Sequence, residues 1–214
     1  TQGNISEAAK YYQYFINQGY LDHRVFCNYG ILLISLGRIK EAELSLRKAI
    51  ELKPNYVIAH SNLGNILKEM GNSQEAERSI RKAIELKPDL ASAHCNLGII
   101  LQDLDKLQEA EVSLRKAIEL NPKFAQAHTN LGMILGNRDK STEAELSHRK
   151  AIKYNPNLVE AHYNLGNILI SLDKSEEAES CHRKAIELRP SFAEAHYNLS
   201  NLLLESYLVL GRPP

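Results

Sequence analysis

Tryptophan is absent from this chain of 214 residues, and aromatic residues make up only 7% of it. Its packing must therefore come mainly from aliphatic side chains and alanine. The chain also lacks any apolar run near the roughly 18 residues that a membrane span needs. Its start shows no Lys/Arg-flanked apolar signal segment. These absences argue against insertion into a membrane.

Neither sign of charge predominates, because 26 Lys and Arg residues balance 26 Asp and Glu residues. Proteins that bind nucleic acid usually have a basic face and a high isoelectric point, whereas the value here is near 7.0. We therefore expect no nucleic-acid partner. The odd number of cysteines, three, argues against a disulfide framework and favours a reducing compartment such as the cytoplasm.

The hydrophobic fraction of 43% is large enough for a buried core and excludes a wholly disordered chain. Because the chain begins at Thr1 rather than Met, we expect it to be a fragment or a processed product.

Proline and glycine recur with a fixed period of 34 residues. The prolines concerned are Pro54, Pro88, Pro122, Pro156 and Pro190. The glycines are Gly30, Gly64, Gly98, Gly132 and Gly166. A fixed period of this length indicates a repeat array, here of roughly six units.

Each unit contains two helical patterns separated by a short turn. In one unit, apolar and small residues follow a helical period over Val57–Met70 and again over Ser73–Leu86. Gly71-Asn72 separates the two segments, and Pro88 ends the second because proline cannot continue a helix. Helices this short depend on stacking against their neighbours, which predicts an all-α fold of stacked helix–turn–helix units.

The same unit resembles the tetratricopeptide repeat, a family whose pattern matches His60, Leu63, Gly64, Leu67, Ala76, Ile80, Ala83 and Pro88. The resemblance implies a right-handed superhelical solenoid in which the first helices line a concave groove. It also implies that this groove binds a protein or a peptide.

The repeat boundaries follow from the period. We expect complete repeats at 23–56, 57–90, 91–124, 125–158 and 159–192. Residues 1–22 are predicted to be the second helix of a partial repeat, and residues 193–214 the first helix of a further partial repeat or a cap.

Eight histidines suggest metal or catalytic chemistry, but their spacing argues against both. Five share one column of the repeat, namely His60, His94, His128, His162 and His196. Stacked helices lie about 8–10 Å apart, whereas zinc–nitrogen bonds are about 2 Å long. We therefore expect these side chains to pack with one ring nitrogen hydrogen-bonded. No metal, cofactor or catalytic site is expected, so the chain is predicted not to be an enzyme.

The second helices repeat a glutamate four residues before an arginine. The pairs are Glu43/Arg47, Glu77/Arg81, Glu111/Arg115, Glu145/Arg149 and Glu179/Arg183. This order suits ion pairs along one helix, and we interpret the pairs as a solvated outer face.

One column of the first helices holds asparagine in every copy: Asn28, Asn62, Asn96, Asn130, Asn164 and Asn198. Asparagine is a mediocre helix former, so local propensity does not explain it. Two explanations remain open. The amides fix the stacking by bonding to the adjacent helix, or they grip the main chain of an extended peptide, since one amide can meet both a peptide N–H and a C=O.

A comparable asparagine ladder occurs in the repeat region of O-linked N-acetylglucosamine transferases, which this array resembles. Further candidates for the groove are Asn65, Asn167 and Asn201, which share a second column, and the neighbouring Tyr163 and Tyr197. Glu160, Glu194 and Glu205 lie towards the end of the chain, which favours a ligand with its basic end there.

Two other functions compete with peptide binding. In the first, the array is the substrate-recruiting region of a larger glycosyltransferase-like enzyme. In the second, it is a structural scaffold that associates with itself end to end. The second alternative rests on an apolar C-terminal segment without a polar cap, formed by Leu199, Leu202, Leu203, Leu204, Leu208 and Leu210.

Overall fold

The computed structural model describes the backbone of residues 2–210 and the side chains of residues 4–208. Over residues 2–210 the chain forms twelve α-helices and no strand. The helices are α1 (Gln2–Asn17), α2 (His23–Ser35), α3 (Ile39–Leu52), α4 (Val57–Glu69), α5 (Ser73–Leu86), α6 (Ala91–Asp103), α7 (Leu107–Leu120), α8 (Ala125–Gly136), α9 (Ser141–Tyr154), α10 (Val159–Ser171), α11 (Ser175–Leu188) and α12 (Ala193–Leu210).

The helices group into two compact units. The N-terminal unit, Thr1–Lys106, contains α1–α6, and the C-terminal unit, Leu107–Pro214, contains α7–α12. Within each unit every helix packs against the next one along the chain. The even-numbered helices also lie side by side, since α4 contacts both α2 and α6, and α8 contacts α10. The expected all-α fold of stacked helix pairs is confirmed in both units.

The paired helices are in close contact at the glycine column. A Cβ atom added to Gly64 in α4 would lie only 2.5 Å from Cγ1 of Ile80 in α5. A Cβ atom added to Gly132 in α8 would lie 2.5 Å from Cε1 of His148 in α9. Real Cβ atoms do not come this close to another carbon, so the spacing of the two helices leaves room only for glycine. The period of the glycines is therefore a packing requirement.

The turn inside each pair uses the left-handed backbone conformation. Gly71 has φ of 78°, and Asp105 and Asp173 have φ of 57°. The residue after each of them then donates its N–H to a carbonyl five residues earlier, as Asn72 does to Leu67 at 2.8 Å. This bond satisfies a carbonyl that the end of the helix would leave without a partner. Glycine and aspartate occupy these positions because both tolerate positive φ.

The ion pairs of the odd-numbered helices connect neighbouring repeats as well as turns of one helix. Arg47 contacts Glu43 of its own helix at 2.8 Å and Glu75 of α5 at 2.7 Å. In the C-terminal unit, Arg149 likewise joins Glu145 at 2.8 Å to Glu177 of α11 at 2.6 Å. The sequence indicated the first contact of each arginine and not the second. In each unit these charges thus link successive helix pairs. Glu111 and Glu145 are only 8% and 9% exposed, so the pairs do not form the fully solvated face that the sequence indicated.

The last described helix departs from the repeat. α12 has 18 residues, whereas the other even-numbered helices have 12 or 13. Tyr207 stands where other repeats carry the glycine or aspartate of the turn, and here the helix continues through it. Leu204 and Leu208 are 57% and 71% exposed, whereas Leu202 is buried at 5%. Leu199 and Leu203 are half-buried, so only part of the expected apolar surface is exposed. The side chain of Leu210 and residues 211–214 lie outside the described part of the chain.

Gly64→Ala tests the requirement for close helix contact. We expect it to lower the free energy of unfolding by about 1–3 kcal/mol, because the new methyl group overlaps Ile80. In an Ile80→Ala background the same change should be neutral or stabilising, because space is then available and alanine is the better helix former by about 1 kcal/mol. Urea unfolding, followed by circular dichroism, of the unmodified protein, the two single variants and the double variant measures the coupling free energy between the two positions. Additive effects would contradict the packing account.

Candidate peptide-binding face

The six asparagines of the repeat column lie on the even-numbered helices, three in each unit. We call the side of these helices that carries them the asparagine face. Asn28 is exposed, Asn130 is buried at 6% exposure, and the other four are half-buried. The column is therefore neither fully sequestered between helices nor uniformly open.

Two asparagines form amide bridges to the preceding even-numbered helix. Nδ2 of Asn96 in α6 donates to Oδ1 of Asn65 in α4 at 2.7 Å. In the C-terminal unit, Nδ2 of Asn198 in α12 donates to Oδ1 of Asn167 in α10, also at 2.7 Å. Each bridge joins a residue of the asparagine column to a residue 31 positions earlier. At these two places the structural explanation of the column holds.

Where the residue 31 positions earlier is apolar, the bridge cannot form. For Asn62, the residue 31 positions earlier is Ile31. Nδ2 of Asn62 donates instead to the Ile58 carbonyl of its own helix at 2.9 Å. For Asn164 the corresponding residue is Met133. Among the described residues, Asn164 makes no side-chain hydrogen bond. Its half-buried amide therefore has a complete set of donors and acceptors available for a ligand.

The remaining asparagines of the column have other partners. Asn28 donates to the hydroxyl oxygen of Tyr12 at 3.3 Å. Oδ1 of Asn130 accepts a hydrogen bond from Gln126 of the same helix at 3.0 Å. Asn201, the last residue of the second asparagine column, is exposed. The six positions therefore share a residue type and differ in what their amides contact.

The two tyrosines of the face have different surroundings. The ring of Tyr163 lies 4.8 Å from Phe192 and 5.7 Å from His182, so it is largely part of the packing between helices. Its hydroxyl oxygen lies 3.4 Å from Nδ2 of Asn198. Tyr197 is 67% exposed. Of the pair, Tyr197 therefore offers much more surface to a partner.

The histidine column has a structural role. Nε2 of His60 donates to the carbonyl of Pro54 at 2.7 Å, and the four equivalent histidines bond in the same way to the prolines six residues before them, at 2.8–2.9 Å. A carbonyl can only accept, so this contact fixes the proton on Nε2. One ring nitrogen is hydrogen-bonded at all five positions, as expected, but the expected packing is absent at His196, which is exposed.

The surroundings of the cysteines also disfavour a role as catalytic nucleophiles. Cys27 and Cys95 are buried, and burial raises the pKa of the Cys27 thiol to about 11. Burial likewise raises the pKa of Cys181. A thiol must ionise to act as a nucleophile, so these environments suppress that reaction. Across the described residues there is no group of three or more His, Cys, Asp or Glu side chains that could hold a metal ion.

Comparison with known families agrees with this geometry. The tetratricopeptide repeat profile matches residues 57–90, 91–124 and 159–192. Two related repeat profiles match residues 30–71 and 113–145, so that the matches together span well over half of the chain. The chain belongs to the tetratricopeptide repeat family. As such it is a protein–protein interaction module, and none of the matching families is an enzyme family.

Solved tetratricopeptide structures resemble the chain along most of its length. YrrB, a tetratricopeptide repeat protein with an unusual peptide-binding site, is 25% identical, with a TM-score of 0.68 over 88% of this chain and 97% of YrrB. TTC0263 of Thermus thermophilus is 20% identical, with a TM-score of 0.70 over 85% of this chain and 99% of its own. PilF of Pseudomonas aeruginosa is 21% identical, with a TM-score of 0.71 and coverages of 89% and 93%. The last two likenesses concern the fold alone.

No curated protein sequence gives a significant match to the chain. Within residues 2–210, none of the tetratricopeptide helices combines the length and the apolar character that crossing a bilayer requires.

Two tetratricopeptide positions of the C-terminal unit carry buried histidines in place of an aliphatic residue. His148 and His182 occupy the column filled by Leu46 and Ile80 in the N-terminal unit, and are 1% and 0% exposed. Within the described part of the chain, neither ring nitrogen of either residue has a hydrogen-bond partner. Burial lowers the pKa of His148 to about 4, and it lowers the pKa of His182 as well. The core of this unit therefore holds two neutral imidazoles against glycine.

These histidines should make the C-terminal unit sensitive to acid. A histidine whose folded pKa is depressed binds protons more readily when unfolded, so stability is complete above the ordinary pKa and declines as pH falls towards the folded value. For His148 we expect a loss of about 2 kcal/mol between about pH 8 and pH 5. Denaturant unfolding at both pH values measures it.

The double substitution His148→Leu/His182→Leu supplies the residue type found at Leu46 and Leu114 and should reduce this pH dependence. A part should remain, because burial also lowers the pKa of His128 in the same unit. The matched control is His196→Gln, an exposed histidine, which should leave the dependence intact. An unchanged pH dependence in the leucine variant would contradict the assignment.

Proposed function

We propose that each unit binds an extended segment of a partner protein along its asparagine face, with amide side chains hydrogen-bonding to the main chain of the ligand. The observation that carries the proposal is the unengaged amide of Asn164. It lies half-buried in a column where the equivalent asparagines of α6 and α12 are already bonded to a neighbouring helix. A polar group placed there without a partner among the described residues suits a ligand that brings its own N–H and C=O.

The bridged asparagines keep part of their bonding capacity. A primary amide has two N–H groups and an oxygen with two lone pairs. The bridge from Asn198 to Asn167 uses one N–H of Asn198 and one lone pair of Asn167. Both residues therefore retain groups for a ligand, while the bridge holds their orientation. Fixed orientation lowers the entropy lost on binding.

Main-chain recognition explains why the column is uniform while its neighbours vary. The adjacent column contains Cys27, Ser61, Cys95, Thr129, Tyr163 and Tyr197. Groups that contact the peptide backbone have no reason to differ between repeats, because the backbone is the same at every ligand residue. The likeness to YrrB, which has a peptide-binding site, supports this type of ligand.

The second candidate function is recruitment of substrates to a larger glycosyltransferase. It is supported by the complete asparagine column, which resembles the ladder of O-linked N-acetylglucosamine transferases. It requires the same contacts on this face and differs in the identity of the partner. In either case the three free cysteines suit a reducing compartment such as the cytoplasm.

A peptide selected from a displayed library of unstructured sequences tests the proposal. Asn164→Ala should weaken binding of the selected peptide about three- to ten-fold, the range expected for the loss of one or two hydrogen bonds. It should not lower the free energy of unfolding, because Asn164 makes no side-chain hydrogen bond within the described chain. Isothermal titration calorimetry and urea unfolding measure the two effects. The control is Asn157→Ala, at an exposed loop residue.

The ligand can be changed as well as the protein. Methylating successive backbone nitrogens of the selected peptide removes N–H donors and preserves every side chain. We expect at least one methylated peptide to lose the same affinity as Asn164→Ala and to show no further loss with that variant. If neither N-methylation nor alanine at Asn130, Asn164 and Asn198 changes the affinity, the proposed role of the column is wrong.

A further inference from the structure

One face of α12 carries an exposed set of acidic and apolar side chains. We call it the acidic stripe; it consists of Glu194, Tyr197, Asn201, Leu204, Glu205 and Leu208. Their spacings of three, four, three, one and three residues place them on the same side of a helix. All six are exposed, and the apolar members reach 67%, 57% and 71% for Tyr197, Leu204 and Leu208.

Within the described part of the chain, the two carboxylates of the stripe have no cation to neutralise them. α12 contains no lysine or arginine, and among the described residues neither Glu194 nor Glu205 forms an ion pair. In the preceding even-numbered helix, Glu160 occupies the position equivalent to Glu194 and is bound by Arg189 at 2.6 Å. The acidic stripe is therefore a surface where unpaired negative charge borders exposed aromatic and aliphatic groups.

The distance between the carboxylates limits the size of what they could bind together. Glu194 and Glu205 are eleven residues apart. At a rise of about 1.5 Å per residue their Cα atoms are separated by roughly 16 Å along the helix. An extended peptide covers this distance with about five residues. Side chains of an extended peptide alternate between opposite faces, so basic residues must be an even number of positions apart to face the helix together. At a spacing of six, both basic side chains could meet the carboxylates, and the residues at the second and fourth positions between them would face Tyr197 and Leu204.

We propose that the acidic stripe docks an extended peptide in which two lysine or arginine residues, six positions apart, flank apolar side chains. Charge complementarity identifies this ligand, because an acidic ligand would place like charges together and an uncharged one would leave both carboxylates unpaired. The inference rests on the proposed function and adds to it the chemistry of the partner. The tyrosine and the leucines supply apolar contact, and the carboxylates select for positive charge.

Two synthetic peptides, blocked at both ends, test this inference. In the first, two lysines six positions apart flank leucine and phenylalanine at the second and fourth positions between them, and in the second glutamates replace the lysines. Fluorescence anisotropy should show that the lysine peptide binds at least ten-fold more tightly than the glutamate peptide, with a preference that declines as salt is added. Glu194→Gln/Glu205→Gln should weaken the lysine peptide about five-fold, as expected for two exposed ion pairs. Tyr197→Ala should weaken it without changing its salt dependence.

The matched control is Glu69→Gln/Asp103→Asn, which removes two exposed carboxylates from the position equivalent to Glu205 in α4 and α6. It should leave the affinity for the lysine peptide unchanged. Equal affinity for the two peptides, no binding of either, or an equal loss with the control variant would each overturn the inference. None of these outcomes affects the proposed function, which is judged on backbone methylation of a selected peptide.

A second copy of this chain is the other conceivable occupant of the stripe. Sedimentation velocity at two protein concentrations distinguishes it. If the chain self-associates, and Leu204→Ser/Leu208→Ser abolishes that association, the stripe is an interface between copies and the inference is wrong. A sedimentation coefficient that does not change with protein concentration supports the inference that the stripe binds a basic peptide.

Discussion

The close contact between paired helices at the glycine column is the constraint on which the rest of the structure depends. With no Cβ at Gly30 or Gly64, the side chains of Leu46 and Ile80 lie directly against helix backbone. This contact sets the separation of the two helices of a pair. It thereby fixes which side of each even-numbered helix is left to carry the asparagines. The neighbouring column varies from Cys27 to Tyr197, and its members Cys27 and Cys95 are buried whereas Tyr197 is exposed.

The same constraint explains how the C-terminal unit accommodates histidine in place of leucine. The imidazoles of His148 and His182 lie over Gly132 and Gly166, where flat rings fit against the bare helix. Their nitrogens have no partners among the described residues, and a buried polar atom without a hydrogen bond lowers stability. The imidazole rings thus fill the space beside the glycines, but their nitrogens lack hydrogen bonds within the described chain. The two units therefore pack their helices in the same way, and we expect them to differ in the pH dependence of their stability.

Much of the fold could be predicted from the sequence, because the 34-residue period displays the glycines, the turns and the helix-ending prolines several times over. The uniform asparagine column was equally visible. Which of its amides are engaged was not, since that depends on a residue of another helix: Asn65 accepts from Asn96, whereas Met133 cannot accept from Asn164. For the same reason the second contact of Arg47, to Glu75, was missed. Reading one column along the chain does not show what lies beside it in space. A comparison of columns offset by 31 residues would have indicated the amide bridges.

The central claim is that the asparagine column divides into amides bonded to a neighbouring helix and an amide left for a ligand. Side-chain ¹H–¹⁵N spectra observe these groups individually. The account predicts slow hydrogen exchange for the bridging amides of Asn96 and Asn198, and fast exchange for that of Asn164 in the free protein. On addition of a bound peptide, the Asn164 resonances should shift and become protected, while those of Asn157 stay in place. Protection of the Asn164 amide without ligand, or no change on binding, would contradict the account.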